Sequence, residues 1–234
     1  MAIREYCFAT SAEAEQALLA VSLDSLGRSL AQYPEITVLL SGGRTPLSYY
    51  RRLAQSPLPW PRIHLALVDE RWVEKEDPAS NEAAIMHAFA NNPPALRNFT
   101  SMKTAAPSAS AAVEECNLRY MRLPWPPTLG ILGMGSDGHT ASLFPYAEGL
   151  EQALNSTAFC AAIQAIETPV TGKHTERMTL TLMALLQCER LVLIINGEEK
   201  WRVYQKARVT TTADLPISLL LARAENVDVF WCKE

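Results

Sequence analysis

The chain has no block of basic residues, no paired-cysteine motif and no apolar run long enough to span a bilayer. Its 21 Lys and Arg are interspersed with 25 Asp and Glu for a net charge of −4. Neither a nucleic-acid backbone nor a membrane surface finds an electrostatic footprint in that pattern, so an anionic ligand has to be caught locally. The five cysteines, Cys7, Cys116, Cys160, Cys188 and Cys232, are scattered and contain no C-x-x-C. That spacing argues against a zinc site or a disulfide framework and predicts reduced, mostly buried thiols. The opening MAIREYCFAT lacks the apolar core of a signal peptide, and the longest apolar runs, such as Leu191 to Ile195, are far too short for a membrane span. The expectation is a soluble cytoplasmic protein. No G-x-x-x-x-G-K-[ST] is present, which disfavours a triphosphate, and no internal repeat or low-complexity linker interrupts the chain.

A chain of 234 residues, 48% of them hydrophobic, can bury one large α/β core. Short apolar runs read as strands at Ile36 to Leu40, Ile63 to Val68, Leu129 to Leu132, Phe159 to Ile163, Met178 to Leu182, Leu191 to Ile195 and Val227 to Trp231. Helical patterns lie between them. Thr10 and Glu13 form a capping box for a helix running to about Gln32, and Thr45-Pro46 is expected to cap a helix through Leu53. Further helices are expected at Asn81 to Ala90, Ser108 to Leu123, Ala184 to Cys188, Glu198 to Ala207 and Leu215 to Arg223. Alternation of this kind predicts a single doubly wound α/β domain, Rossmann-like, with a mostly parallel sheet and helices on both faces.

Ligands of such sheets bind beyond the carboxyl ends of the strands. Four polar clusters each follow a predicted strand: Ser41-Gly42-Gly43-Arg44, Asp69-Glu70-Arg71, Ser136 to His139, and Asn196-Gly197-Glu198-Glu199-Lys200. Gly42 and Gly43 expose backbone N–H groups at a helix start, an anion cradle or an ordinary strand-to-helix turn. Asp69 to Arg71 is a solvated strand-end ion pair on one reading; on the other, Arg71 clamps substrate and Asp69 orients it. Lys200 at a helix start sits where the dipole does not favour a cation, so a ligand phosphate supplies a reason for it. Arg177 is a further candidate cation, whereas Lys173 and His174 read as surface residues. His64 and His87 have no ionisable constellation around them and read as structural.

The most informative stretch is LGILGMGSDGHTASLFP, Leu129 to Pro145. Gly133, Gly135 and Gly138 spell the dinucleotide fingerprint G-x-G-x-x-G, but its context is missing. The motif lies mid-chain, Pro145 interrupts a long helix from Gly138, and the expected acidic strand end is absent. The glycines are better read as a frame for Asp137 and His139, an ionisable pair two residues apart.

The segments LLSGGRTP (39–46), LVDERWV (67–73) followed by SN (80–81), LGMGSDGHTASLFP (132–145), RMTLTL (177–182) and INGEEK (195–200) closely resemble the 6-phosphogluconolactonases. The related glucosamine-6-phosphate deaminases share the glycine loops and the DGH but continue differently after it, and Thr140 to Pro145 here matches the lactonase form. Glu74-Lys75-Glu76 departs from the prolines common at that loop. The resemblance implies hydrolysis of 6-phospho-D-glucono-1,5-lactone, a small-molecule sugar phosphate, with no nucleic acid or membrane partner. It assigns water activation to His139 supported by Asp137, and oxyanion stabilisation to Arg71 or to backbone N–H groups from Gly135 to Gly138. The distant phosphate falls to Ser41, Gly42, Gly43, Arg44, Thr45, Arg177 and Lys200. Opening a lactone requires no redox cofactor and no metal. Two rivals are an amino-sugar-phosphate deaminase and a non-catalytic sugar-phosphate sensor; an intact His139 amid a full set of pocket residues argues against the sensor.

Overall fold

The computed structural model describes residues 2–233. Seven strands form one sheet, and every pairing in it is parallel. In chain order they are β1 (Ala2–Phe8), β2 (Ile36–Leu40), β3 (Ile63–Leu67), β5 (Phe99–Thr100), β6 (Leu129–Gly133), β9 (Leu191–Asn196) and β10 (Asn226–Cys232). A second, antiparallel sheet has three strands: β4 (Asp69–Arg71), β7 (Cys160–Gln164) and β8 (Glu176–Leu180). The helices between them are α1 (Ser11–Gln32), α2 (Leu47–Ala54), α3 (Asn81–Ala88), α4 (Ala109–Met121), α5 (Leu150–Asn155), α6 (Leu182–Leu186), α7 (Glu198–Val209) and α8 (Pro216–Arg223).

The large sheet has the order β1-β10-β9-β6-β2-β3-β5. From β2 the chain winds outward through β3 to β5, and from β6 it winds the other way through β9 to β10. Right-handed crossovers in opposite directions put helices on opposite faces and leave a crevice between β2 and β6. The core is the aliphatic interior of those strands. All five residues of β2 are buried, as are Leu65 and Leu67 of β3, Ile131 and Leu132 of β6, Val192 and Leu193 of β9, and Val229 of β10. Burial on both faces explains why these segments read as unbroken apolar runs.

The α1 capping box is present as expected: Thr10 Oγ1 accepts from the Glu13 N–H at 3.3 Å, and Glu13 accepts from the Thr10 N–H at 3.2 Å. Thr45 does not cap α2. Pro46 occupies the N-cap itself, the helix begins one residue later, and Thr45 is left exposed. β1 and β5 carry no clear sequence signal, because an edge strand interleaving Arg4 and Glu5 with half-buried residues, and one of two residues, have little apolar periodicity. The largest difference concerns Asp69 to Arg71. This segment is the strand β4 of the second sheet, turned out of the large sheet immediately after β3. Four of the five cysteines are buried and none is in a disulfide. His64, contrary to the sequence expectation, has an ionisable neighbour in Glu35 at 3.0 Å, but the pair lies away from the crevice.

Candidate active site

The chain leaves buried β2 into Ser41 to Thr45, directly at the crevice. Tyr50, fully buried on α2, donates to the Ser41 carbonyl at 2.9 Å and pins the loop from beneath. Ser41 is 6% exposed, and its hydroxyl has no hydrogen-bond partner among the described residues. A Cβ at Gly42 would overlap the Asn81 side chain, so the loop comes as close to α3 as a backbone allows.

In β4 the strand alternation separates the neighbouring charges. Glu70 turns to the start of α3 and accepts from the N–H groups of Arg71 (2.8 Å), Asn81 (2.7 Å) and Glu82 (2.8 Å), and from the Ser80 hydroxyl (3.0 Å). Burial raises its pKa, with these donors working in the opposite direction. Arg71 and Asp69 face the cavity. Asp69 is not the direct orienting partner of Arg71. It accepts from the Ser142 hydroxyl at 2.5 Å, while Arg71 donates to the Ala79 carbonyl at 2.7 Å and to Asn81 Oδ1 at 2.9 Å. Asn81 stands between the two, its amide nitrogen donating to the Asp69 carbonyl at 2.8 Å.

Arg71 lies directly opposite Arg177 in the β4–β8 register. Like charges in that relation repel. Arg177 is 3% exposed, donates to the carbonyls of His174 (2.7 Å) and Thr171 (2.9 Å), and lies 5.5 Å from the centre of the Phe144 ring. Burial above all lowers its pKa to about 10; Arg71 lowers it further, against the opposing pull of Asp69 and Glu70. The acceptors that hold both guanidinium groups are thus uncharged, so among the described residues neither arginine is ion-paired to a carboxylate, although Asp69 and Glu70 lie near enough to act on Arg177.

The third loop follows β6. His139 Nδ1 lies 2.6 Å from Asp137 Oδ1, which also accepts from the His139 backbone N–H at 3.1 Å. Burial disfavours the Asp137 charge, but the hydrogen bond and charge of His139 outweigh it and hold the carboxyl below its usual range. The imidazole rests against Phe144, with ring centres 4.2 Å apart. Gly135 must be glycine for the same reason as Gly42: a Cβ there would collide with both His139 and Asp137. The Gly135 N–H donates to the His139 carbonyl at 3.0 Å and the Gly138 N–H to the Gly135 carbonyl at 3.1 Å. Both N–H groups therefore hold the loop and are not spare oxyanion donors. Gly138, at φ +77°, packs against Leu215 and does not line the cavity.

Lys200 comes from the first turn of α7. Burial above all lowers its pKa, while Glu199 and, after it, Asp137 pull it up. The loops enclose a cavity of about 390 Å³. His139, Asp69, Arg71, Ser41, Gly42, Gly43, Arg44, Thr45, Gly135, Arg177 and Lys200 all line it; Asp137 stands behind His139. Asn81, Ser142 and Phe144 are the site residues that the sequence reading did not single out, although SN and SLFP lie in the quoted segments. Their types carry no signal of direction, since only the fold turns them inward. Among the described residues no cluster of three or more His, Cys, Asp or Glu could hold a metal ion, and no helix is long and apolar enough to cross a membrane.

The sequence profile of the glucosamine-6-phosphate isomerases/6-phosphogluconolactonases matches residues 9–231. The chain belongs to this family. Among its relatives, a 6-phosphogluconolactonase of Xylella fastidiosa is 34% identical over 209 residues, covering 88% of this chain and 86% of the relative. Another from Neisseria meningitidis is 32% identical over 97% of both chains. The crystal structure of a 6-phosphogluconolactonase from Shewanella baltica superposes with a TM-score of 0.92 at 32% identity, covering 99% of this chain and 98% of that one. Across this family member the match spans both sheets and every loop that builds the cavity.

Proposed function

We propose that this chain hydrolyses 6-phospho-D-glucono-1,5-lactone to 6-phospho-D-gluconate, a step of the oxidative pentose phosphate pathway, in the cytoplasm. The observation that carries this assignment is the Asp137–His139 pair, 2.6 Å apart, set in one cavity with two arginines that have only neutral hydrogen-bond acceptors among the described residues.

Asp137 accepts from Nδ1–H and so selects the tautomer whose Nε2 lone pair is free to take a proton from water. The water oxygen then attacks C1, and the carbonyl electrons move onto oxygen. The resulting imidazolium returns its proton to the ring oxygen as the C1–O bond breaks, leaving a carboxylic acid that ionises. Lys200 and Ser136 line the same cavity, and the developing oxyanion is assigned to the Lys200 ammonium and the Ser136 N–H, which takes Lys200 from the phosphate role expected from the sequence. With the Gly135 and Gly138 N–H groups committed to their loop, this replaces the donors expected from the sequence. The phosphate is assigned to Arg71 and Arg177, a pair of charges suited to a dianion, with Ser41 and the Gly42 to Thr45 loop lining the same cavity. Anchoring the phosphate places C1 beside His139.

The deciding measurement is the disappearance of the 1,5-lactone followed by NMR with and without protein, since the lactone also opens spontaneously. Acceleration that saturates with lactone is expected, with no ammonium released from glucosamine 6-phosphate. A rate equal to the spontaneous one would overturn the assignment.

A further inference from the structure

Asn81 is 2% exposed, lines the cavity, and joins three of its walls. Its amide oxygen accepts from Arg71 at 2.9 Å, its amide nitrogen donates to the Asp69 carbonyl at 2.8 Å, and its side chain fills the space that a Cβ on Gly42 would need. The start of α3 does not need that side chain. Ser80 is the N-cap, accepting from the Ala83 N–H at 3.1 Å, and Glu70 takes the N–H groups of Asn81 and Glu82. The Asn81 amide is thereby left for the cavity, and its orientation is set: a carbonyl demands the donor on one side, a guanidinium the acceptor on the other.

An aspartate would be nearly isosteric and would bond Arg71 more strongly. It would also tie the guanidinium up in an ion pair, because the acceptors it now has, Asn81 Oδ1 and the Ala79 backbone carbonyl, are both neutral. We propose that Asn81 is a positioning residue that aims Arg71 at the anionic group of the ligand without ion-pairing it, and that asparagine stands at this position for that reason. The identity of that anion, a sugar phosphate, rests on the function proposed above.

An aspartate sets an oxygen against the Asp69 carbonyl that the Asn81 amide now bonds, so a structural role also makes Asn81→Asp harmful. What separates the two roles is Arg71: a structural effect persists without it, whereas an effect exerted through Arg71 vanishes with it. The test is KM for the lactone and, independently, Kd for inorganic phosphate by calorimetry. Both are measured for the unaltered protein, for Asn81→Asp and Asn81→Ala, and for each of these combined with Arg71→Met. The expected result is a loss of phosphate affinity of ~10-fold or more for Asn81→Asp and about 3-fold for Asn81→Ala, with KM rising in the same order. In the Arg71→Met background either change is expected to add less than about 2-fold, since partners acting through one contact are non-additive. Acidic residues suit the first turn of a helix, so the aspartate variant is expected to fold; should it not, the Asn81→Ala half of the cycle decides. Alanine more harmful than aspartate, factors that multiply, or no phosphate binding by the unaltered protein would each overturn the proposal. Failure to turn over the lactone with the phosphate order intact would instead remove only the lactonase assignment.

Discussion

Replacing Asp137 by asparagine changes one atom and removes the feature that gives His139 its direction. Asp137 Oδ1 holds both the imidazole Nδ1, at 2.6 Å, and the His139 backbone N–H, at 3.1 Å. A charged hydrogen bond of this kind is worth roughly 1.5–3 kcal/mol, equivalent to about 10- to 150-fold in rate if lost only when the imidazolium forms. An amide adds a second injury. If its NH₂ turns toward Nδ1, that nitrogen becomes the acceptor and the proton moves to Nε2, the atom needed as base. Losses of up to ~10⁴-fold accompany such a tautomer reversal in the serine proteases. Asp137→Asn is therefore expected to lower kcat by about 10²- to 10⁴-fold, with KM within about 3-fold because the phosphate pole is untouched. The assay is lactone disappearance by NMR with the spontaneous rate subtracted, beside a melting curve to show that the variant is folded. A second signature follows from the lowered carboxyl of Asp137. A folded-state pKa below the unfolded value contributes stability above the unfolded pKa, near 4, and loses it as pH falls through the folded value. That acid-range contribution disappears in the variant. A folded Asp137→Asn protein with kcat within about 3-fold of the original would refute the orienting role.

His139→Ala is expected to remove at least ~10³-fold from kcat with KM nearly unchanged, and near-normal turnover in a folded variant would exclude it as the base. Arg177→Met should raise KM about 10-fold or more, because it deletes one of the two facing charges; an unchanged KM in steady-state assays would take Arg177 out of the phosphate pole. Glu70→Gln keeps the size of the side chain but puts an NH₂ among four donors, so a loss of about 2–4 kcal/mol is expected, seen as a melting point lower by roughly 5–15 °C. A melting point within about 2 °C of the original would refute its role as the anchor of α3. Activity is expected to survive exhaustive chelation, and loss on EDTA with recovery on adding a divalent metal would count against the scheme.

The central strands were legible because they are buried on both faces and hence uniformly apolar, and the capping box of α1 because its chemistry is local. β1 is not legible because an edge strand tolerates Arg4 and Glu5, and α2 starts one residue beyond the position that Thr45-Pro46 predicts because Pro46 itself serves as N-cap. In the site, the contact between Asp137 and His139 was open in the sequence, since residues two apart meet only if the backbone turns, and here Gly135 and Gly138 make it turn.

By itself the sequence determined the types of group the site would have, a histidine, carboxylates, cations and glycine loops at strand ends, because those are properties of residues and short spacings. Only the tertiary structure decided which of them meet. It turned β4 out of the main sheet, set Arg71 opposite Arg177, gave Asp69 to Ser142 and placed Asn81 between Asp69 and Arg71. Each of those contacts joins segments separated in the chain, so each depends on strand register and helix placement, which a local pattern of residues does not encode.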